Sequence, residues 1–392
     1  MRPVSLIWLE SIKVNNMKTF SLTALLIVRN ESRTIKRCLD NIIGKFDTVV
    51  IIDTGSTDDT LHIINKFTGE RLSVFYYKWN DSFADARNYA LTLTRNRYIF
   101  FIDADETLIS TNTDLLKELA KFNFSEGETE KAICPIIIDE DGNYTNNIPR
   151  IFFNNGRLYY FGNVHEELRI KDEGKIDIKK SEIVLKHDGY SRNVVNNKRK
   201  VERNLKLTKQ TMKKEPSNSR WAYFYFRDGI DLIDPNEAII KLKNFIDKEQ
   251  KTNDKVYYTA LIDLLARYEL RNLSDEQSFN ETIKLLNKVE PYNSNSIFYQ
   301  ELYKLRKWKK LAEKTLHSLL EYREKNNHDI PEMLHVKGFH IDSIIAMYLF
   351  ECGYYKQAKE MLEWLQAQNY TPEINNIYIS ILNKMIFTKS DN

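Results

Sequence analysis

The chain has 392 residues, 42% of them hydrophobic and 29% charged, with a formal net charge of +3 at pH 7. This length predicts two or three domains and excludes a small disulfide-stapled scaffold, and the apolar content excludes a wholly disordered chain. The small positive surplus gives no reason to expect nucleic-acid binding, and no apolar run approaches the roughly 20 residues that a membrane-spanning helix needs.

Residues 1–18 have an amphipathic apolar pattern that predicts an N-terminal helix packed on the body of the protein. The segment is too short, and too soon interrupted by charge, for a signal peptide. The three cysteines, Cys38, Cys134 and Cys352, are far apart and form no C-x-x-C pair. We therefore expect no disulfide framework and no thiol metal site, and a cytoplasmic location is the simplest.

Residues 19–190 have the pattern of an α/β domain. The domain contains five short apolar runs. The first three are separated by Glu31–Ile43 and Asp58–Phe67, in which apolar residues recur at helical spacing. This order predicts two β-α-β units with parallel strands. The five runs are Leu22–Val28, Thr48–Ile52, Leu72–Tyr77, Tyr98–Ile102 and Ala132–Ile138.

The second part of this domain changes character. After Asp103 the pattern predicts a turn at Asp139–Asn143 and two aromatic-rich strands within Arg150–Phe161. The Asn154-Asn155-Gly156 sequence between these strands favours a hairpin turn. The sequence therefore predicts a mixed sheet, extended by antiparallel strands.

Beyond residue 190 the sequence is helical almost to its end. Residues 191–220 are predicted to form a basic linker helix, for which a solvated charged face is also a sufficient explanation. Residues 221–392 predict an all-α, tetratricopeptide-like domain, with weaker echoes of the repeat near Pro235 and Ile283. Such repeats build a concave surface that commonly holds a peptide or another subunit, although close helix packing alone also explains these residues. The best match comprises Gly353, Tyr355, Ala358, Leu362, Leu365 and Pro372.

Polar residues follow the first two predicted strands, at the edge where open α/β sheets bind ligands. Asn30 and Glu31 come directly after the first strand, where they can reach a nucleotide or begin a helix. Asp53 ends the second strand and begins Asp53–Thr60. A carboxylate there is the acceptor needed to bind an N–H of a base such as uracil, whereas Asp58 and Asp59 fit the start of the next helix.

Two further clusters complete the candidate site. Arg87, within Ser82–Asn88, can bind a diphosphate or pair with neighbouring carboxylates. Asp103, Asp105 and Glu106 follow a very apolar strand, and three acidic side chains there repel one another unless a cation lies among them. Oxygen ligands select a hard ion such as Mg²⁺ or Mn²⁺, which would act as a Lewis acid on a departing diphosphate. The P-loop, dinucleotide-binding and G-x-S-x-G motifs are absent.

The four motifs, in this order and spacing, resemble those of the inverting family 2 glycosyltransferases of the GT-A fold. The resemblance covers residues 19–190 and rests on Ser21–Glu31, Asp53–Thr60, Ser82–Asn88 and Asp103–Glu106. The helical tail makes the whole chain similar to the sublancin-type peptide S-glycosyltransferases, which modify bacteriocin precursors. That narrower resemblance also depends on the segments Gly162–Glu167 and His187–Tyr190.

The resemblance implies a UDP-sugar donor and a bound Mg²⁺ or Mn²⁺. Asp53 would bind the uracil, and Asp103 and Asp105 would hold the ribose and the metal, with Asp105 the closer ligand. His187 would complete the metal site, although a histidine after an apolar strand is more often structural. The remaining residues implied in donor binding are Val28, Asn30, Glu31, Ser56, Arg87 and Ala104.

Inversion needs a base that removes the acceptor proton on the acceptor side of the cleft. Glu166 is the first candidate for this base and His165 the second. A thiol acceptor needs less help than a serine hydroxyl, because its ordinary pKa is about 8.5. The sequence does not distinguish the two acceptors, and it leaves the role of Glu106 open.

The leading hypothesis is therefore metal-dependent, inverting transfer of a hexose from a UDP-sugar to a Cys or Ser of a bacteriocin precursor peptide. One alternative keeps the donor chemistry but places the acceptor on a cell-envelope or lipid-linked glycan. Another is a helical-repeat interaction protein that binds nucleotide without turnover. Abundant aromatic residues in the tail predict a homodimer.

Overall fold

The computed structural model describes residues 21–121 apart from positions 68, 70 and 96, together with residues 129–188, 194–249, 256–326 and 335–387. The helix expected at residues 1–18 lies outside the described residues. The chain divides into two compact units, Met1–Asp231 and Leu232–Asn392. The α/β sheet expected in the first and the all-helical architecture expected in the second are both confirmed.

The first unit contains a mixed nine-stranded sheet and a separate two-stranded sheet. The strands are β1 (Leu22–Val28), β2 (Thr48–Asp53), β3 (Leu72–Tyr76), β4 (Arg97–Phe101), β5 (Glu106–Leu108), β6 (Thr129–Ile138), β7 (Tyr144–Thr145), β8 (Ile151–Asn154), β9 (Leu158–Phe161), β10 (Glu167–Ile170) and β11 (Lys175–His187). The helices are α1 (Ile35–Ile42), α2 (Thr60–Ile64), α3 (Phe83–Thr92), α4 (Asn112–Lys121), α5 (Val194–Lys214) and α6 (Ser219–Asp228), and a 3₁₀ turn covers Asn65–Phe67. The large sheet has the order β3-β2-β1-β4-β8-β6-β11-β5, with β7 paired to β6.

Strands β1 to β4 form the parallel part of the sheet that the β-α-β pattern predicts. Strand β1 is apolar except for Thr23, as expected of a strand that is covered on both faces. Leu22, Ala24 and Leu26 pack on the face that carries α1, and Leu25 packs on the opposite face. Val28 lies in register with Asp53, so the loops that follow β1 and β2 meet at one edge of the sheet.

The hairpin expected within Arg150–Phe161 is wrong. Gly156 does adopt the turn conformation, with φ of +90°, but β8 and β9 do not pair with each other. Strand β8 pairs with β4 and β6, whereas β9 pairs with β10 in the second sheet. Since both edges of β8 are filled, the following strand has no free edge to join, and the chain leaves the sheet at this turn.

Helices α5 and α6 pack on the β9–β10 hairpin. The ring of Trp221 is fully buried and lies so close to Gly162 that a Cβ on this glycine would be 2.6 Å from Cη2 of the ring. Arg169 of β10 donates two hydrogen bonds to Glu215, of 2.6 and 2.8 Å. These contacts explain why the first unit extends to residue 231, well beyond the expected domain end at residue 190.

The described part of the second unit consists of helices, and neighbours in sequence pack against each other. They are α7 (Pro235–Glu249), α8 (Val256–Asn272), α9 (Glu276–Val289), α10 (Ser294–Lys325), α11 (Phe339–Glu351), α12 (Tyr355–Ala367) and α13 (Glu373–Phe387). Gly353 connects α11 to α12 with φ of +89°, and Ala358 and Leu362 are fully buried against Ala346 and Leu382. The small and apolar repeat residues of the sequence thus lie where the helices pack closely.

None of the described helices is both long enough and apolar enough to cross a membrane.

Candidate active site

Asp53 is buried at the end of β2. Its Oδ1 accepts hydrogen bonds from the backbone N–H groups of Gly55 at 2.9 Å and Ser56 at 3.1 Å. Gly55 has φ of +103°, which lets the chain fold back over the carboxylate. The other oxygen, Oδ2, is buried without a hydrogen-bond partner among the described residues. A buried carboxylate oxygen left unpaired is costly, so this atom fits a site for an N–H donor of a ligand.

The loops after β1 and β2 are held together by hydrogen bonds through Asn30. Its backbone N–H donates to Oγ of Ser56 at 3.0 Å, and its side-chain oxygen accepts from the N–H of Thr57 at 2.7 Å. Asn30 adopts φ of +58° to make both contacts, and the N–H of Thr54 donates to the carbonyl of Val28 at 3.0 Å. The residues expected from these two motifs therefore form one connected surface.

Asp103 follows β4 and pairs with a buried arginine that sequence reasoning missed. Arg150 Nη2 lies 2.7 Å from Asp103 Oδ2 and 3.3 Å from Glu106 Oε1. Burial alone would raise the pKa of Asp103, but the charges of Arg150 and Arg87 outweigh it and hold this pKa well below its usual range. Ala104, the next residue, is buried beside this pair.

Glu106 stabilises the turn that contains Asp103. Its side chain is almost fully buried, and Oε2 accepts the backbone N–H of Asp103 at 2.8 Å. Burial raises the pKa of Glu106 to about 7, against the opposing effect of Arg150. This residue, whose role the sequence left open, therefore fixes the turn that presents Asp103.

Arg87 joins two carboxylates from distant parts of the chain. Its Nε donates to Glu166 Oε1 at 2.6 Å, and Nη2 lies 3.6 Å from Asp103 Oδ1. The guanidinium carbon lies 4.8 Å from the ring centre of Phe101 and 5.4 Å from that of Tyr160, a packing typical of cation–π contacts. Arg87 was expected either to bind a diphosphate or to pair with carboxylates. The structure places it in contact with carboxylates.

Asp105 and His187 lie together although 82 positions separate them in the sequence. Asp105 Oδ1 is 3.4 Å from His187 Nδ1, because β11 pairs with β5 and brings His187 opposite Glu106. The hydrogen bond to Asp105 raises the pKa of His187. Glu31 lies near them: burial raises its pKa, and the charges of Asp105 and Asp103 add to the rise.

This pair fits a divalent cation as far as the donor set is concerned. A carboxylate oxygen and an imidazole nitrogen at this separation can share one ion, and Mg²⁺ commonly takes only one or two protein ligands alongside phosphate oxygens and water. Asp103, expected as a further ligand, is engaged by Arg150 and Arg87. Within the described parts of the chain, no group of three His, Cys, Asp or Glu side chains is placed to hold a metal ion.

His165 and Glu166 lie in the turn between β9 and β10. Arg87 thus links this turn, through Glu166, to Asp103. His165 Nε2 hydrogen-bonds with Asp228 Oδ2 at 2.7 Å. The imidazole also stacks on Phe224, with ring centres 4.2 Å apart and planes within 9°. The two candidate bases thus have different partners, Arg87 for Glu166 and Asp228 for His165.

Sequence reasoning missed Arg150 and the α6 residues that contact this turn. A single arginine before the apolar run of β8 was a signal for a buried ion pair, because an unpaired charge is not tolerated there. Nothing in the sequence near Phe224 or Asp228 indicated a link to His165, more than fifty positions away.

Residues 23–178 match the sequence model of the family described as glycosyl transferase family 2. The glycosyltransferase SunS of Bacillus subtilis is 31% identical over 248 residues, which are 63% of this chain and 58% of SunS. The chain thus spans little more than half the length of this curated relative.

Other relatives match shorter segments. A TPR repeat-containing protein of Synechococcus elongatus is 27% identical over 45% of this chain and 44% of its own length. The Escherichia coli enzyme WfaP, a UDP-Glc:alpha-D-GlcNAc-diphosphoundecaprenol beta-1,3-glucosyltransferase, is 40% identical over 16% of this chain and 25% of its own. Among solved structures, Staphylococcus aureus TarS 1–349 aligns at 13% identity over 70% of this chain and 93% of its own, with a TM-score of 0.39.

Proposed function

Because residues 23–178 match the sequence model of glycosyl transferase family 2, we propose that this protein is an inverting glycosyltransferase. It moves a hexose from a UDP-sugar to a Cys or Ser side chain of a small bacteriocin precursor peptide. The observation that carries the proposal is the meeting of three motifs at one sheet edge. The Asp53 loop, the Asp103–Glu106 turn and His187 lie at the ends of β2, β4 and β11. Ligands of open α/β sheets bind at that edge.

In this proposal, Asp53 binds the uracil through Oδ2, the oxygen that lacks a protein donor. Asn30 and Ser56 shape the loop beside it. Val28 ends the neighbouring strand β1, and Glu31 follows in the next loop. Asp103 holds the ribose. Arg150 and Arg87 keep Asp103 ionised, so that it accepts hydrogen bonds from ribose hydroxyls.

Asp105 and His187 would hold Mg²⁺ or Mn²⁺. When bound there, such an ion supplies Lewis-acid stabilisation of the departing diphosphate. The chain itself supplies Glu166 as the base that takes the acceptor proton, with His165 as the second candidate. Arg87 holds the Glu166 carboxylate at 2.6 Å, which fixes its orientation before an acceptor arrives.

The peptide acceptor rests on the resemblance to sublancin-type enzymes and on the helical second unit. A thiol acceptor suits the site because a thiolate forms with modest help near neutral pH. The three free cysteines of this chain fit a cytoplasmic location.

We propose that the protein acts as a homodimer through α13. Ile374, Ile377 and Ile381 are all more than a third exposed, and their spacing of three and four residues places them on one stripe of the helix. A second copy of the same helix is a suitable cover for such a stripe. Sedimentation of wild type and Ile377→Asp tests this, and a monomeric wild type contradicts it.

The match to WfaP favours a second candidate, transfer to a lipid-linked glycan. A third candidate, a non-catalytic interaction protein, is suggested by the match to a TPR repeat-containing protein. The three differ in what accepts the sugar: a peptide, a membrane fraction, or nothing.

UDP release from UDP-glucose, UDP-galactose and UDP-N-acetylglucosamine, each with Mg²⁺, Mn²⁺ or EDTA, tests the proposal. Cys- and Ser-containing peptides serve as acceptors, and mass spectrometry locates the added hexose. We expect metal-dependent release that Asp105→Ala abolishes and that Asp40→Ala, on an exposed face of α1, leaves unchanged. UDP binding by calorimetry without turnover of any donor would instead support the interaction protein.

A further inference from the structure

One face of helix α6 contacts the turn that carries His165 and Glu166. Arg220, Phe224 and Asp228 are spaced four residues apart, which places them on the same side of the helix. All three contact His165: Arg220 Nη2 donates to its carbonyl at 2.8 Å, Phe224 stacks on its ring, and Asp228 hydrogen-bonds with Nε2. This helix lies beyond residue 178, where the family match ends.

The contact between His165 and Asp228 is shielded from water. Their side chains are only 17% and 12% exposed, and Arg227 holds the second oxygen of Asp228 at 2.6 Å. Burial alone would raise the pKa of Asp228, but its bonds with His165 and Arg227 lower it. The carboxylate therefore stays ionised and keeps the imidazole in one orientation.

The turn itself has a strained backbone. His165 has φ of +54°, a conformation that a residue with a side chain adopts at an energetic cost. Such strain persists where surrounding contacts over-determine it, and it clusters at functional sites. Here α6 supplies the contacts described above for His165, whereas Asn163 of the same turn is held by Thr211 and Gln210 of α5.

Glu166 is the next residue and its side chain pairs with Arg87 on the opposite side of the turn. Its carbonyl accepts a hydrogen bond from Arg220 Nη2 at 3.5 Å, so the position of its backbone depends in part on α6, whereas Arg87 orients its carboxylate. A base must lie within a fraction of an ångström of its working position to be efficient. We infer that Asp228, Phe224 and Arg220 are positioning residues, which hold His165 so that Glu166 meets the acceptor. This inference rests on the proposed function.

The test compares kcat and the KM for the UDP-sugar in Asp228→Asn and Phe224→Leu, using the donor and peptide that wild type accepts. We expect kcat to fall about 10- to 100-fold, while KM and the calorimetric affinity for UDP change by less than about two-fold. Phe224→Tyr keeps the stacked ring and should retain activity close to that of wild type. His62→Ala and Asp172→Asn, both exposed, are the matched controls.

A double-mutant cycle shows whether the effect passes through Glu166. In a Glu166→Gln background, Asp228→Asn should lower the residual kcat no further. An equal loss in both backgrounds would overturn the inference, and so would an unchanged kcat in Asp228→Asn or a joint loss of kcat and UDP affinity. A wild type that consumes no UDP-sugar with any acceptor would overturn the proposed function and this inference with it.

Discussion

Gly162→Ala should destabilise the first unit, because two separate costs meet at this position. Gly162 has φ of +107°, where an alanine is strained by about 1–2 kcal/mol. The added Cβ would lie 2.6 Å from Cη2 and 3.0 Å from Cζ3 of Trp221. Overpacking of this kind costs about 1–3 kcal/mol, since the Trp221 ring is fully buried and has no room to move.

The unfolded state offsets part of this cost. Alanine restricts the unfolded chain more than glycine does, which returns about 0.4–1 kcal/mol. The free energy of unfolding should therefore fall by about 1–4.6 kcal/mol. For a unit of this size, that corresponds to a lower unfolding midpoint by about 2–4 °C per kcal/mol.

Gly142→Ala is the matched control. Gly142 also has a positive φ, of +82°, but nothing lies within 4 Å of the position that its Cβ would take. This substitution carries the backbone cost without the clash, so its net effect should be about 0–1.5 kcal/mol.

Tryptophan fluorescence in urea measures both variants. In a background with Trp308→Phe and Trp364→Phe, every remaining tryptophan precedes residue 232, so the signal reports the first unit alone. Equal urea midpoints for Gly162→Ala and Gly142→Ala would refute the argument, because they would show that Trp221 gives way without cost.

Three further predictions follow from the site and its surroundings. Asp53→Asn should weaken UDP binding about 10- to 150-fold in calorimetry, through loss of a charged acceptor; an unchanged affinity would remove Asp53 from the donor site. Burial raises the pKa of Cys38 to about 12, so iodoacetamide should label the less buried Cys352 first in the native protein, and mass spectrometry showing equal labelling would contradict this. Hydrogen bonding from Arg169 lowers the pKa of Glu215 to about 2, from an ordinary 4.5. The Arg169–Glu215 pair thus stabilises the fold at pH values above the ordinary pKa of 4.5, and this effect is lost as pH falls through the folded-state pKa of about 2. The difference in unfolding midpoint between wild type and Glu215→Gln should therefore shrink on acidification. A difference that stays constant with pH would rule the linkage out.

Much of the proposed donor side of the site could be predicted from the sequence. Asp53 and Asp103 each follow an apolar run, and a strand end is a local property of the sequence. Parallel pairing of β1, β2 and β4 then brings these ends to one edge by a general rule of α/β folds. The all-helical second unit was equally visible, because helical periodicity and packing residues are local signals.

The sequence did not reveal which strands pair across the antiparallel part of the sheet. Alternation and a good turn predict a hairpin at Gly156, but whether β8 accepts β9 depends on β6 already filling its free edge. That competition involves residues far apart in the chain, so no local pattern records it.

The sequence by itself determined strands β1 to β4, β6, β8 and β9, the polar ends of the first of them and the residue types suited to a nucleotide and a cation. Only the tertiary structure decided that Arg150 pairs with Asp103 and that Asp228 holds His165, whereas the family resemblance had already implied that His187 lies near Asp105. The physical reason is that periodicity and turn chemistry act over a few residues, whereas burial of charge is settled by whichever distant partner the packed fold brings within hydrogen-bond distance.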